Sequence, residues 1–517
     1  MKSLNCLIVS VFVLSLICSL SATAATRTWD NDAGDNRWDV AANWSDDKIP
    51  GASDIARIAL TGTDFCLFDD AIDTIVNKLQ VGWAKSDYTQ IKPGEMLMTG
   101  GSLNFKAESH VGYRTSGSLD FQGGALSGTN NLKVGDGIDA IGTLTASGGT
   151  IDIGTAAKGR HLKFGLNGGD GTGTISNNTV VTVYGDVQVG QKVDSVGRLS
   201  LSDAAILSIG GAFKVGNDGG TGTFTMSGGT VTVGGTMDVG QKLGSEGEFN
   251  MSGGSLSVGT LEANKAMRLG YQGAKGTGTI SGENTVVNVS GNFVIGNNVG
   301  GEFDTPSEGM LTILDGTINV GGGDLTHELS IGKNHGTGVV EMSGGRINVI
   351  YGDARIGETT IEIINTGTEE EPVYEEILHP GIGRLTMTGG VLSISDSNSL
   401  QIGLNHSTGL VELFGGTIEA GDVEIGPEGS GGEVNFKIGG LLVLEGNQMP
   451  AVLGYIEDGL FTVYGGEVAP DWFGWSYGYN ACGYDGKTFV SVTAIPEPAT
   501  IALLGLGGLA LLRRKRR

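Results

Sequence analysis

The strongest constraint on this chain is a short frame that recurs through its middle. Counting from Gly222 in Gly-Thr-Phe-Thr-Met-Ser-Gly-Gly-Thr-Val-Thr-Val-Gly, apolar residues stand at Phe224, Met226, Val231 and Val233, around the pair Gly228-Gly229. The frame starting at Gly142 gives Leu144, Ala146, Ile151 and Ile153, and that at Gly247 gives Phe249, Met251, Leu256 and Val258. Further copies begin at Gly338, Gly383 and Gly409. Gly309 fits with Asp315 in place of the first Gly of the pair, and Gly117, Gly173, Gly197 and Gly278 open looser copies. Each unit closes with an apolar-x-apolar-Gly signature, as in Met237-Asp-Val239-Gly240, Ala354-Arg-Ile356-Gly357 and Val423-Glu-Ile425-Gly426. A period of roughly 25 residues is the mark of stacked units.

Period-two alternation puts the apolar set of each unit on one face and Thr or Ser on the other. Gly-Gly permits a sharp corner, because Gly reaches positive φ without steric cost. Three short strands and their corners close one coil, and each strand then pairs with its copy in the next coil. The expected fold is all-β: a right-handed parallel β-helix (β-solenoid) of about 12 coils over residues 94–440. At about 4.8 Å per coil this makes a rod of roughly 55–60 Å. A β-propeller is the alternative, but its blades need four strands and usually about 40 residues or more. The open ends of a solenoid need covers, which residues 25–93 and 441–494 are expected to supply. The tryptophans Trp29, Trp38 and Trp44 in front, and Asp471-Trp472-Phe473-Gly474-Trp475 with Thr488–Val492 behind, suit capping; the functional alternative is an aromatic sugar-binding platform.

Composition removes other classes. Gly is 92 of 517 residues, well above the ordinary share of roughly 7%, yet it follows no every-third-residue pattern and Pro is only 10, so collagen is excluded. A hydrophobic share of 39% is too high for a disordered Gly-rich linker. The formal charge is −25, and it would be more negative still without the basic residues of the two ends. Such a body repels phosphate backbones and argues against nucleic-acid binding. Cys66 and Cys482 are the cysteines outside the leader; sequence does not show whether they pair. With no CxxC or Cys/His cluster, a structural zinc site is not expected.

The two ends read as export signals. Residues 1–24 form a signal peptide, with Lys2, an apolar stretch from Leu7 to Ile17 and a small-x-small site at Ala22-Thr23-Ala24 that places cleavage before Ala25. At the other end, residues 495–517 hold Pro496, Glu497 and Pro498, an apolar run from Ile501 to Leu512, and the basic cluster Arg513, Arg514, Lys515, Arg516 and Arg517. The run falls short of the roughly 20 residues that span a bilayer, and the cations hold its end on the cytoplasmic side. This suits temporary retention better than a permanent anchor.

That three-part order resembles the PEP-CTERM sorting signal. The resemblance implies processing by exosortase, an integral-membrane cysteine protease, after passage through the Sec translocon. It implies a Gram-negative cell surface or exterior, and an association with extracellular polysaccharide and biofilm. The tryptophan-rich stretch from Thr28 to Ser45 is similar to the mature N-terminus of many PEP-CTERM and autotransporter-like β-solenoid proteins. No run of amphipathic strands follows to make a membrane barrel, so self-secretion is not expected.

Catalytic chemistry is harder to find. Parallel β-helices include polysaccharide lyases and hydrolases, whose sites need carboxylates with a basic partner, or paired carboxylates, on one wall. The best candidates, Asn334-His335-Gly336 and Asn405-His406-Ser407, occupy the place that Asn217-Asp218-Gly219 and Asn167-Gly168-Gly169 hold elsewhere. They are expected to be turns, where Asn tolerates positive φ. Gly168–Gly173 and Gly219–Phe224 lack the Asp of a calcium β-roll. The acidic insertion between Gly357 and Gly383, with Glu369-Glu370-Glu371-Pro372, should project as a hairpin or loop. No catalytic, cofactor or metal residue is expected. The function expected is a structural or adhesive surface component, with extracellular polysaccharide as a candidate partner; the rivals are a carbohydrate-active enzyme and a carbohydrate-binding surface protein.

Overall fold

In the computed structural model, residues 24–494 are described apart from 61–63, 261, 300–304, 323–325, 366–373, 427–430, 465–472 and 481–482. The frame at Gly222 folds as strands Thr221–Met226 and Thr230–Val233, and the closing signature folds as a third, Met237–Gln241. The next unit repeats them as Glu246–Met251, Ser255–Val258 and Met267–Tyr271. Each strand pairs in parallel with its predecessor, which sets Phe224 on Phe249, Val231 on Leu256 and Val239 on Leu269. The fold is therefore a parallel β-solenoid. A propeller is ruled out because the strands pair between units rather than within them.

The inward residues named by the frame form the core. Phe224, Met226, Val231 and Val233 are at most 2% exposed, and one hydrophobic cluster runs from Trp29 to Val492. Phe213 meets Phe224 edge-on at 4.9 Å, and Phe224 stacks on Phe249 at 5.8 Å. The corners use Gly in two ways. Gly229 turns the first corner at φ +81°. At the other corner, Gly190 has φ +72°, and a Cβ there would lie 1.9 Å from the carbonyl oxygen of Thr221.

The stack is longer than the repeats suggest. One face carries fifteen strands in a single column, a rod of about 70 Å at the usual strand spacing. The extra layers come from Thr26–Trp29, Ile55–Ile58 and Lys78–Ala84, which pair in parallel with one another and with Ser109–Tyr113. They lie in the region read as a cap, where Asp and Asn turns replace the Gly-Gly frame. The other two faces join near the far end, where Ile382–Ile394 and Thr408–Ala420 run through the corner as single strands.

Both ends are closed. Trp29, Trp38 and Trp44 are at most 1% exposed; Trp38 and Trp44 meet at 4.7 Å, and the Trp44 Nε1–H donates to the Trp38 carbonyl at 2.7 Å. Buried in this way, they cap the stack and offer no sugar platform. At the far end Lys487–Ala494 pairs antiparallel with Leu441–Glu445 and with Phe473–Tyr479, and Trp475 packs on Phe436 at 5.4 Å. Trp472 lies outside the described residues, as does Cys482; Cys66 is buried and forms no disulfide among the described residues. The acidic insertion is a hairpin, Thr360–Asn365 against Tyr374–His379, with its Glu369–Pro372 tip outside the described residues.

Successive coils alternate in one of their turns. Ile138, Val193, Leu243 and Val299 are exposed aliphatics, each separated from the next by a coil that carries Gly168, Gly219 or Gly273 at that place. A Cβ on Gly168 would lie 3.3 Å from Ile138, on Gly219 2.7 Å from Val193, and on Gly273 3.2 Å from Leu243. From the coil on the other side, Ser195, Ser245 and Ser307 accept the N–H of these glycines through Oγ at 2.9, 2.8 and 2.8 Å. The bulky turn leans on the bare one, so the structural unit here is a pair of coils.

Candidate functional site

His335 and His406 sit at φ +61° and +66°, each after an Asn at positive φ, in the turn that Asn167 and Asp218 occupy with the same left-handed backbone. They are turn residues, as their place in the repeat implies. His335 also meets His379 of the hairpin at 5.2 Å.

The polar chemistry lies instead on the outward side of the fifteen-strand face. The variable position of the apolar-x-apolar-Gly signature stacks coil on coil as Gln80, His110, Lys133, Lys163, Gln188, Lys214, Asp238 and Arg268. Just past the Gly, a second column reads Tyr113, Asp136, Leu166, Gln191, Asn217, Gln241 and Tyr271. The two columns form one strip.

Near its N-terminal end, His110 Nε2 lies 3.1 Å from Asp136 Oδ2 and 3.6 Å from Glu108 Oε1. This trio has donor atoms close enough to hold a metal ion. Lys133 occupies that place: its Nζ lies 2.8 Å from Glu108 and 3.2 Å from Asp136. Burial alone would favour a neutral lysine, but the hydrogen bonds and charges of the two carboxylates outweigh it and raise the ammonium above its usual range. Burial likewise opposes ionisation of Asp136, yet His110, Lys133 and Asn167 together hold its carboxyl far below the ordinary value. The cluster thus carries its own tethered cation, and a metal would have to displace it. Burial pushes His110 below the usual imidazole range despite Asp136. Its Nδ1 is buried without a hydrogen-bond partner among the described residues, which suits a neutral ring donating from Nε2 to Asp136.

The middle of the strip is less satisfied. Lys163 Nζ donates to Gln191 Oε1 at 3.2 Å. Gln188 and Asn217 are 6% and 3% exposed, and the amide oxygens of Gln188, Asn217 and Gln241 have no partner among the described residues. Ion pairs flank this stretch, Lys133 with Asp136 and Arg268 with Asp238, while among the described residues Lys163 and Lys214 form none. Towards the C-terminal end Lys333, Arg355, Glu328 and Glu358 make a compact network, with contacts of 2.6 to 3.1 Å. An open cleft of 280 Å³ lies beside it, between Arg355, Glu358, Gln401 and Asn405.

The export residues lie elsewhere. Ala22 and the tail residues Pro496, Glu497, Pro498, Arg513, Arg514, Lys515, Arg516 and Arg517 are outside the described residues. Ala24 is exposed, and the Ala25 N–H already points to Asp54 Oδ1 at 3.3 Å, at the first layer of the stack. Residues 494–517 match the model of the PEP-CTERM protein-sorting motif. The chain is a PEP-CTERM-tagged β-solenoid. The motif marks an exosortase-sorted protein exported to the cell surface or the extracellular space. No curated protein and no solved structure shows a significant match to it. Among the described residues, no helix is long and apolar enough to cross a membrane.

The strip of this PEP-CTERM solenoid makes no local motif in the sequence, because its members stand one per coil. The signal was present in the x of apolar-x-apolar-Gly. Reading that single position down the repeats gives the His, Lys, Gln and Arg column directly.

Proposed function

We propose that this exported solenoid is a non-catalytic structural or adhesive rod of the cell surface or its polysaccharide matrix. The observation that carries this reading is a single core continuing through fifteen stacked layers and covered at both ends, the build of a stiff spacer. In its carboxylate–histidine cluster Lys133 engages both carboxylates, and the imidazole is buried away from solvent, which supports a structural role for the group. Export through the Sec translocon and a short stay in the inner membrane, held by Ile501–Leu512 and the basic tail, complete the proposal. The test is to pass the recombinant protein over a panel of bacterial and plant polysaccharides, scoring retention and released sugar together. Retention without release is expected; release of sugar overturns the structural reading.

A further inference from the structure

Resting on that reading, we propose that the middle of the outward strip is a binding track for an acidic polysaccharide, lined by Lys163, Gln188, Gln191, Lys214, Asn217 and Gln241. Three observations converge on it. First, Lys163 and Lys214 make no direct ion pair with a described carboxylate, although Glu108, Asp186 and Asp136 lie near enough to act on Lys163 and Asp238 near enough to act on Lys214, whereas the cations on either side are directly paired. Second, three amide oxygens here have no donor among the described residues, and native folds rarely leave buried acceptors unmet without a ligand, water or functional reason. A half-rotation about the terminal amide torsion, which is broad and soft, would exchange each buried oxygen with its amide nitrogen and is required before the oxygen can meet a ligand. Third, the same positions recur in every coil at the strand spacing, so the track is linear, as a polymer requires.

The chemistry needed is a partner rich in hydroxyl donors, for the amide oxygens, and in carboxylates, for the lysines. A uronate-containing glycan supplies both on one repeating backbone. The chain as a whole is acidic, with a formal charge of −25, but charges more than about 8 Å away are largely screened at physiological salt. The long-range repulsion that disfavours phosphate backbones acts on a polyuronate as well; screening reduces it at physiological salt, so binding rests on the short-range contacts of the strip.

The experiment compares full-length protein with two double variants, Lys163→Gln/Lys214→Gln in the strip and Lys106→Gln/Lys275→Gln on the other faces. Each is titrated with polygalacturonate, with dextran (hydroxyls without charge) and with poly-glutamate (carboxylates without hydroxyls). Unchanged melting of the variants establishes that they are folded. Polygalacturonate is expected to bind at least about tenfold more tightly than either control polymer, and about tenfold more weakly to the strip variant alone. Equal binding by the strip variant, parity with dextran or poly-glutamate, or no binding at all overturns the proposal. Sugar release would count against the structural reading instead, so the two failures are distinguishable.

Discussion

Asn319 donates through Nδ2 to Asn288 Oδ1 at 2.8 Å, and Asn348 donates in the same way to Asn319 one coil on. Amides stacked at strand spacing thus satisfy one another along the rod axis. Replacing Asn319 by Leu removes both bonds and leaves an acceptor and a donor unmet, a loss of about 1–3 kcal/mol. Urea unfolding midpoints of wild type and variant check this.

The second prediction separates backbone strain from close approach. Gly244 has φ +75° with nothing within 4 Å of an added Cβ, while at Gly190 a Cβ would strike the Thr221 carbonyl at 1.9 Å. Gly244→Ala should cost about 1–2 kcal/mol, the penalty of a left-handed residue. Gly190→Ala should cost about 3 kcal/mol or more, because coils must separate to admit the methyl. Similar losses for both, measured by denaturant unfolding, would show that the corner relaxes.

Acid should weaken the fold in two stages. His110 is depressed in the folded state, so the unfolded chain takes up the proton first; its contribution is complete above about pH 6.5 and falls as pH drops towards the folded value. Asp136 is depressed as well, so its contribution is complete above about pH 4 and is lost in stronger acid. His110→Gln keeps a donor for Asp136 without titrating, and it should flatten part of the first stage. His161 and His327, also depressed mainly by burial, retain the remainder. Melting temperatures measured from about pH 8 down to pH 5 provide the check.

Lys133 is predicted to act as an internal cation. Lys133→Ala leaves Glu108 and Asp136 facing each other and should cost about 3–5 kcal/mol, the usual result of breaking a buried pair. It also frees the His110, Glu108 and Asp136 donors. Zinc should therefore raise the melting temperature of the variant and leave wild type unchanged; an equal response in both proteins counts against the assignment.

Sorting is tested on native protein. Mass spectrometry of surface material should show a chain shortened near Pro496–Pro498, and an intact Arg517 there would contradict processing of the tail.

Much of the fold was legible because a solenoid writes its core at fixed offsets. Phe224, Met226, Val231 and Val233 could be named as core from period two alone, and all are buried. His335 and His406 were read as turn residues by comparing them with Asn and Asp in sister units, and their left-handed backbone agrees. The first layers were missed because pairing between Ile55–Ile58 and Lys78–Ala84 depends on tertiary stacking, while their turns lack the glycines that announce a corner. The strip was missed for a different reason. His110 and Asp136 are 26 residues apart, and only the coil pitch makes them neighbours.

The alternation of aliphatic and glycine turns bears on how such a chain can change length. Deleting a single coil between Ile138 and Val299 would set one bulky turn against another, or one bare turn against another, and would separate a serine from the glycine N–H that it caps. Removing two adjacent coils restores every neighbour. Recombination within this gene region should therefore change rod length only by even numbers of coils, making length a quantised trait with a step of about 10 Å.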